Sequence, residues 1–188
     1  GLWGYTGAAS DGEPLTIQAT GMGGPSAAIV LEELADLGLR RAVRIGTCGA
    51  LAHGVRLGAL VCATEVLGDD GTSRALGAPE RQAPDAAMTA VLRACADHAG
   101  LVVSTDLFYA PGEADPQRWA RTGALAVEME AAALLAVGAR RGVPVACALA
   151  VSDAPAGGRT PGARIGHEEL VAAAERLGRA GLAALQAA

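Results

Sequence analysis

Val143-Pro144-Val145-Ala146-Cys147-Ala148-Leu149-Ala150-Val151 is the stretch that decides the fold, and Ser152-Asp153 follows it at once. A short apolar run with no polar alternation reads as a strand buried on both faces. Such a strand needs helices above and below it, so helices and strands should alternate on either side. Upstream, Leu125–Val127 reads as a short strand running straight into a helix over Glu130–Arg141. Downstream, residues 154–163 (APAGGRTPGA) read as a flexible loop and Gly166–Gln186 as the last helix.

The N-terminal half continues the alternation. Pro14–Thr20 reads as a strand and Gly21-Met22-Gly23-Gly24 as a glycine-rich turn. Pro25 suits a first helical position. Ile29, Val30, Leu34 and Leu37 recur at helical spacing over Ser26–Leu37, and Gly38 ends that helix. Arg41–Ile45 reads as a strand followed by the turn Gly46-Thr47-Cys48-Gly49, and Ala59–Val66 as a third strand. Gly68–Pro84 reads as a long polar loop, Asp85–His98 as a helix and Leu101–Ser104 as a short strand. No linker, composition shift or repeat divides the chain. The expectation is a single domain over residues 1–188, a three-layer α/β/α sandwich with a mixed or mostly parallel central sheet. Ligands of such sheets bind outside the carboxyl ends of the strands.

Composition agrees and excludes several functions. A chain of 188 residues suits one domain of ~100–200 residues. Hydrophobic residues make up 51%, charged residues 19%, and mean hydropathy is +0.30, which suffices for a buried core. Aromatics are only 3%, so Ala, Val and Leu must fill that core. All 15 basic residues are Arg, which excludes a lysine Schiff base and a P-loop lysine. A net charge of −5 argues against non-specific nucleic-acid binding. No window holds the ~20 apolar residues of a membrane span. Cys48, Cys62, Cys95 and Cys147 show no CxxC pairing, so no metal site or redox dithiol is expected. Reduced thiols and a cytoplasmic location are expected instead.

Three strand ends carry unusual residues. Arg44-Ile45-Gly46-Thr47-Cys48-Gly49 reads either as an anion-binding turn, with amides, a hydroxyl and a guanidinium, or as an ordinary strand-to-loop turn. Glu128-Met129-Glu130 reads either as a functional acid pair or as a helix N-terminus favoured by the dipole. The second reading explains Glu130 better than Glu128. Ser152-Asp153 reads either as a turn cap or as a general acid whose pKa burial raises.

Taken together and in this order, these pieces resemble the purine/uridine phosphorylase family, whose hexameric bacterial members act on purine nucleosides. The residues that carry the resemblance are Gly1-Leu-Trp-Gly-Tyr-Thr-Gly7, Thr20-Gly-Met-Gly-Gly-Pro-Ser26, Arg44-Ile-Gly-Thr-Cys-Gly49, Asp106-Leu-Phe-Tyr109, Val127-Glu-Met-Glu-Ala-Ala132 and Val151-Ser-Asp153. The resemblance implies a pentosyltransferase that splits purine nucleosides with inorganic phosphate, giving free base and ribose 1-phosphate. Phosphate is then a co-substrate, and no other cofactor is implied. Arg44, Gly46 and Thr47 match the family's phosphate site. Met22, Glu128, Met129 and Glu130 match the ribose site, the methionines by packing and Glu130 by accepting the 2′- and 3′-hydroxyls. Cys48, Gly49, Phe108 and Val127 match the base pocket, although Phe108 alone would read as a core filler. Asp153 matches the acid that protonates purine N7, with Arg164 beside it. The resemblance also implies a homohexamer built as a trimer of dimers, here with an interface expected to use Ala, Leu and Val.

The family carries several dozen residues before the position of Gly1, with two further phosphate arginines and a histidine for the neighbour's ribose. The expectation is therefore a fragment or a short form whose phosphate cradle keeps Arg44 alone. Alternatives follow from that. A hydrolytic nucleosidase needs no phosphate arginines. A non-catalytic nucleoside-binding homologue would keep the ribose and base residues. Methylthioadenosine phosphorylase stays open. Uridine phosphorylase is the nearest rival, but Tyr109–Asp115 lacks that enzyme's Gln-x-Arg pair, since Gln117 and Arg118 come later and adjacent.

Overall fold

The computed structural model describes residues 2–109, 114–154 and 162–187. In chain order its elements are β1 (Gly4–Ala8), β2 (Pro14–Gln18), α1 (Gly24–Asp36), β3 (Ala42–Ala50), β4 (Leu60–Asp69), α2 (Gly71–Ala75), β5 (Arg81–Gln82), α3 (Ala86–Cys95), β6 (His98–Thr105), α4 (Ala114–Arg121), β7 (Ala126–Glu128), α5 (Ala131–Arg141), β8 (Val145–Asp153) and α6 (His167–Ala187).

The apolar run that decides the fold is β8, and both its faces are covered. Val145, Cys147, Leu149 and Val151 join the cluster that holds Leu31 of α1 and Leu134 and Val137 of α5. Ala146, Ala148 and Ala150 join Met88 and Leu92 of α3 and Ala173, Leu177, Ala180 and Ala184 of α6. Small residues on that second face let a helix come close: a Cβ on Gly181 would lie 3.2 Å from Ile45 Cγ2. The strand begins at Val145 rather than Val143 because Pro144 has no N–H for the ladder.

The sheet is mixed and six-stranded, in the order β5-β4-β6-β7-β3-β8, with α1, α2 and α5 on one side and α3 and α6 on the other. β3 is parallel to β8 and antiparallel to β7, while β6 is parallel to both β4 and β7. A further antiparallel pairing of Leu60–Cys62 with Ala148–Ala150 joins β4 to β8, so the sheet closes on itself. The three-layer expectation is met, with this closure added to it.

Several local expectations are corrected. Gly46-Thr47-Cys48-Gly49 is strand, not turn. Its register with β8 continues through Cys48↔Val151, and those ladder bonds outweigh the glycines' preference for a turn. The loop expected over 68–84 contains the end of β4, the short helix α2 capped by Asp70, and β5. The helix expected over 85–98 stops at Cys95, because Ala96 is extended and His98 already pairs with Val61. Asp85 is its N-cap, accepting from the Met88 N–H at 2.9 Å. β1 was unforeseen; it pairs with β2 as a separate two-stranded sheet, and Gly4 and Gly7 hide its alternation. α4 was also unforeseen. It is held by Trp119, which is buried and donates its indole N–H to Asp69 at 2.8 Å. The loop expected over 154–163 lies largely outside the described residues.

Among the described residues Trp119 is the only buried aromatic; Trp3, Tyr5, Phe108 and Tyr109 are exposed. The core is therefore aliphatic, as the composition requires.

Candidate active site

β7 lies antiparallel beside the end of β3, and the end of β8 lies on the other side of it. Gly49 is paired with Val127 on one side and with Asp153 on the other, after a register shift at Cys48/Gly49. Glu128 ends β7, Glu130 follows it, Asp153 ends β8, and Arg44, near the start of β3, turns its guanidinium to both glutamates.

Glu128 and Arg44 form the buried half. The Glu128 side chain is 1% exposed. Its carboxylate accepts from the Glu130 N–H at 2.9 Å, the Ala131 N–H at 3.0 Å, the Ser104 hydroxyl and Arg44 Nε at 2.7 Å. Ser104 Oγ in turn accepts from the Ala132 N–H at 2.9 Å. Glu128 therefore satisfies the first amides of α5, where the helix dipole favours a negative charge. On the helix-N-terminus reading of the sequence, Glu130 would do this. It makes no side-chain cap bond and instead reaches across to accept from the Gly23 N–H at 2.6 Å and from Arg44 Nη2. Gly23 has φ 89°, a conformation that suits glycine, and this lets the turn before α1 aim its amide at Glu130.

Arg44 lies between both acids with its side chain 10% exposed. Burial opposes its charge, but Glu128 and Glu130 outweigh that and hold its pKa above the usual arginine value. One cation faces two anions, so the cluster is one negative charge in excess. Gly46 lies beneath the guanidinium, where a Cβ would come within 3.2–3.3 Å of its atoms. Thr47 is exposed. Strand alternation sets it on the other face: Arg44 is opposite Cys147 of the α5-side core, and Thr47 opposite Ala150 of the α6-side core.

Cys48 is buried and donates to the Ala150 carbonyl at 3.7 Å. Burial first, and Glu128 second, push its thiol up to about 12, so it stays protonated and is no nucleophile. Its side chain is a core contact, and only its backbone reaches the strand end. Gly49 packs on Val127, with a Cβ position 3.5 Å from Val127 Cγ1.

The other half is open. Phe108, Ser152, Asp153, Arg164 and Ile165 line a cavity of about 250 Å³. Asp153 Oδ1 is 3.2 Å from Arg164 Nε, and the Ser152 hydroxyl donates to Asp153 Oδ2 at 2.7 Å. Arg164 is also bridged to Asp153 through the backbone, although the residues between them lie mostly outside the described set. The burial expected at Asp153 is absent: its side chain is 39% exposed, because β8 leaves the core at its last two residues. Phe108 is exposed rather than a core filler, and meets Tyr109 edge-on with ring centroids 4.9 Å apart. Met22 is exposed and Met129 half-buried.

Two participants escaped the sequence reading. Ser104 was legible only as a polar residue closing an apolar strand. The Gly23 amide is backbone and carries no sequence signal beyond its glycine. Among the described residues, no three His, Cys, Asp or Glu side chains converge as metal ligands would. No helix among them is long and apolar enough to cross a membrane.

Residues 4–187 match the family described as the Phosphorylase superfamily. The chain is 41% identical over 143 residues to a guanosine phosphorylase of Halorubrum lacusprofundi, covering 72% of this chain and 59% of that protein. It is 34% identical over 162 residues to a DeoD-type purine nucleoside phosphorylase of Clostridium beijerinckii, covering 81% and 68%. A DeoD-type purine nucleoside phosphorylase of Geobacillus kaustophilus is 36% identical over 162 residues, with the same coverage. The chain thus spans about three fifths to two thirds of the length of the relatives it matches.

Proposed function

Since the chain belongs to the Phosphorylase superfamily, we propose that it catalyses the phosphorolysis of purine nucleosides, releasing the free base and ribose 1-phosphate. The observation that carries this reading is the Gly23–Glu130–Arg44–Glu128 chain, which joins the turn before α1, the start of α5, β3 and β7. It sets a cation for an anionic nucleophile directly beside a carboxylate suited to sugar hydroxyls. The relatives named for guanosine and for purine nucleosides support the substrate class.

In this reading phosphate is held by Arg44 with the backbone at Gly46 and Thr47. The ribose lies on Met22 and Met129, and Glu130 accepts its hydroxyl protons; a carboxylate takes two such donors. As the glycosidic bond breaks, positive charge grows on the sugar, and the nearby carboxylate stabilises it more than in the ground state. The base occupies the cavity at Phe108, against the Gly49–Val127 contact and the Cys48 backbone. Asp153, held by Arg164, gives a proton to N7 so that the base leaves neutral. Glu128 supports Arg44 from below and is too enclosed to meet the sugar.

We also propose a single domain over residues 1–188, phosphate as the only co-substrate with no further cofactor, a homohexameric assembly and a cytoplasmic location. The exposed Trp3, Tyr5, Phe108 and Tyr109 support an assembly whose interface uses aromatics as well as Ala, Leu and Val.

One observation favours a second reading. Arg44 is already matched by two carboxylates, which suits a hydrolytic nucleosidase with no phosphate to hold. The identity of the sugar product separates the two. Inosine and guanosine should yield ribose 1-phosphate, with uridine untouched. Free ribose as the only sugar product would establish the hydrolytic reading.

A further inference from the structure

We infer that Arg44 couples the two ligands of the reaction: phosphate and Glu130 compete for one edge of its guanidinium, so that phosphate binding releases Glu130 to the ribose. This rests on the phosphorolysis reading above.

The two carboxylates on Arg44 are not equivalent. Glu128 accepts from four donors, namely Arg44 Nε, the Ser104 hydroxyl and the Glu130 and Ala131 amides. Three of those four belong to α5's N-terminus or to β6, and its side chain is 1% exposed. It cannot move without uncapping α5. Among the described residues, Glu130 accepts from two donors only, the Gly23 amide and Arg44 Nη2, and its side chain is 7% exposed. Glu130 is therefore the partner that can yield.

Arginine carries five N–H donors in a planar fork, and two are committed here. A phosphate dianion seeking a bidentate hold on Arg44 must share the guanidinium with Glu130, and like charges at that range repel. Two arrangements result. In one, Glu130 occupies Arg44 and its oxygens are not free for two ribose hydroxyls. In the other, phosphate occupies Arg44 and Glu130 keeps only the Gly23 amide, leaving lone pairs for the sugar. Each ligand favours the second arrangement, so each must tighten the other by the same factor. Glu128 holds Arg44 Nε in both arrangements and is a positioning residue.

Calorimetric titration of inorganic phosphate tests this on the wild-type chain, alone and saturated with a C-nucleoside analogue of inosine. Phosphate does not cleave the analogue's carbon–carbon glycosidic bond. Phosphate should bind at least about fivefold more tightly with the analogue present, within the usual range of site–site coupling. The analogue should gain the same factor from phosphate. In Glu130→Gln, phosphate alone should bind more tightly than in wild type, because no carboxylate has to be displaced, and the analogue should no longer alter it. Phosphate binding that is unchanged by the analogue in wild type, or weakened in Glu130→Gln, overturns the coupling and leaves phosphorolysis standing. An absence of phosphate binding under both wild-type conditions overturns the phosphorolysis reading and the coupling together. The wild-type comparison decides even where the variant does not fold.

Discussion

Replacing Arg44 by Met removes the one cation from the buried cluster while keeping much of the side chain's bulk. Glu128, at 1% exposure, and Glu130, at 7%, are then left as neighbouring carboxylates with no counter-charge. Breaking a buried ion pair from one side costs about 3–5 kcal/mol, because the remaining charge stays desolvated. Two carboxylates lose their partner here, so the upper part of that range is expected. For a chain of this size each kcal/mol moves Tm by about 2–4 °C, so about 4–5 kcal/mol gives a fall of roughly 8–20 °C. The control is Arg40→Met. Arg40 meets Glu13 at 2.9 Å, but their side chains are 70% and 62% exposed, and such surface pairs contribute about 0–1 kcal/mol. Arg44→Lys should fall between the two, keeping charge but losing the fork that serves both acids. Urea unfolding followed by far-UV circular dichroism reads all four proteins. An Arg44→Met variant within about 1 kcal/mol of wild type would refute the reasoning, since the carboxylates would then have another way to be neutralised.

Asp153→Asn keeps a hydrogen-bond donor at the base but cannot transfer a proton, so inosine cleavage should slow by about 10²-fold or more while 7-methylguanosine, charged at N7 already, is largely spared; equal losses on both substrates would make Asp153 structural. Burial pushes the Cys48 thiol up to about 12 and the Cys62 thiol up to about 11, and raises Cys147 well above the usual thiol value, whereas Cys95 is exposed. Alkylation of the native protein at mildly alkaline pH should therefore label Cys95 alone, with the other three reacting only in denaturant; rapid labelling of Cys48 would contradict the packing. Burial opposes the charge on Asp97, but the Leu60 N–H and Arg176 outweigh it and hold its carboxyl below the ordinary 3.8. A lowered folded-state pKa gives stability that is present above the unfolded value and is lost as pH falls through the folded one. Asp97→Asn should accordingly be less stable than wild type at neutral pH, and the gap should close as pH falls below 3.8; a gap unchanged by acid would remove Asp97 from the account.

The strand ends were legible because chemistry and packing conflict there. Glu128 and Asp153 are acids where an apolar strand should end in a plain turn, and Arg44 is a charge inside one; such conflicts tend to mark functional sites. Which acid does what was not legible. Glu128 and Glu130 are two residues apart, and only the path of β7 into α5 decides that Glu128 turns under the helix while Glu130 turns towards Gly23. The extension of β3 through Gly46–Gly49 was hidden because strand pairing with β8 is a long-range effect that glycine's local preference does not reveal. The closure of the sheet through β4 and β8 was hidden for the same reason. α4 was missed because its sequence is mostly polar; it is held by the buried Trp119, whose indole donates to Asp69, together with the Arg118–Asp69 ion pair. Asp153 was correctly sensed as a strand-end acid and wrongly expected to be buried, since the apolar run stops at Val151 and leaves the next two residues half-exposed.

The central claim is that Arg44 holds a phosphate that attacks the ribose held by Glu130. The most direct test is the rate of hypoxanthine release from inosine as inorganic phosphate is raised from none. No release is expected without phosphate and a saturable rise as it is added, with one ribose 1-phosphate formed for each base released. Base release that proceeds at full rate without phosphate would contradict it.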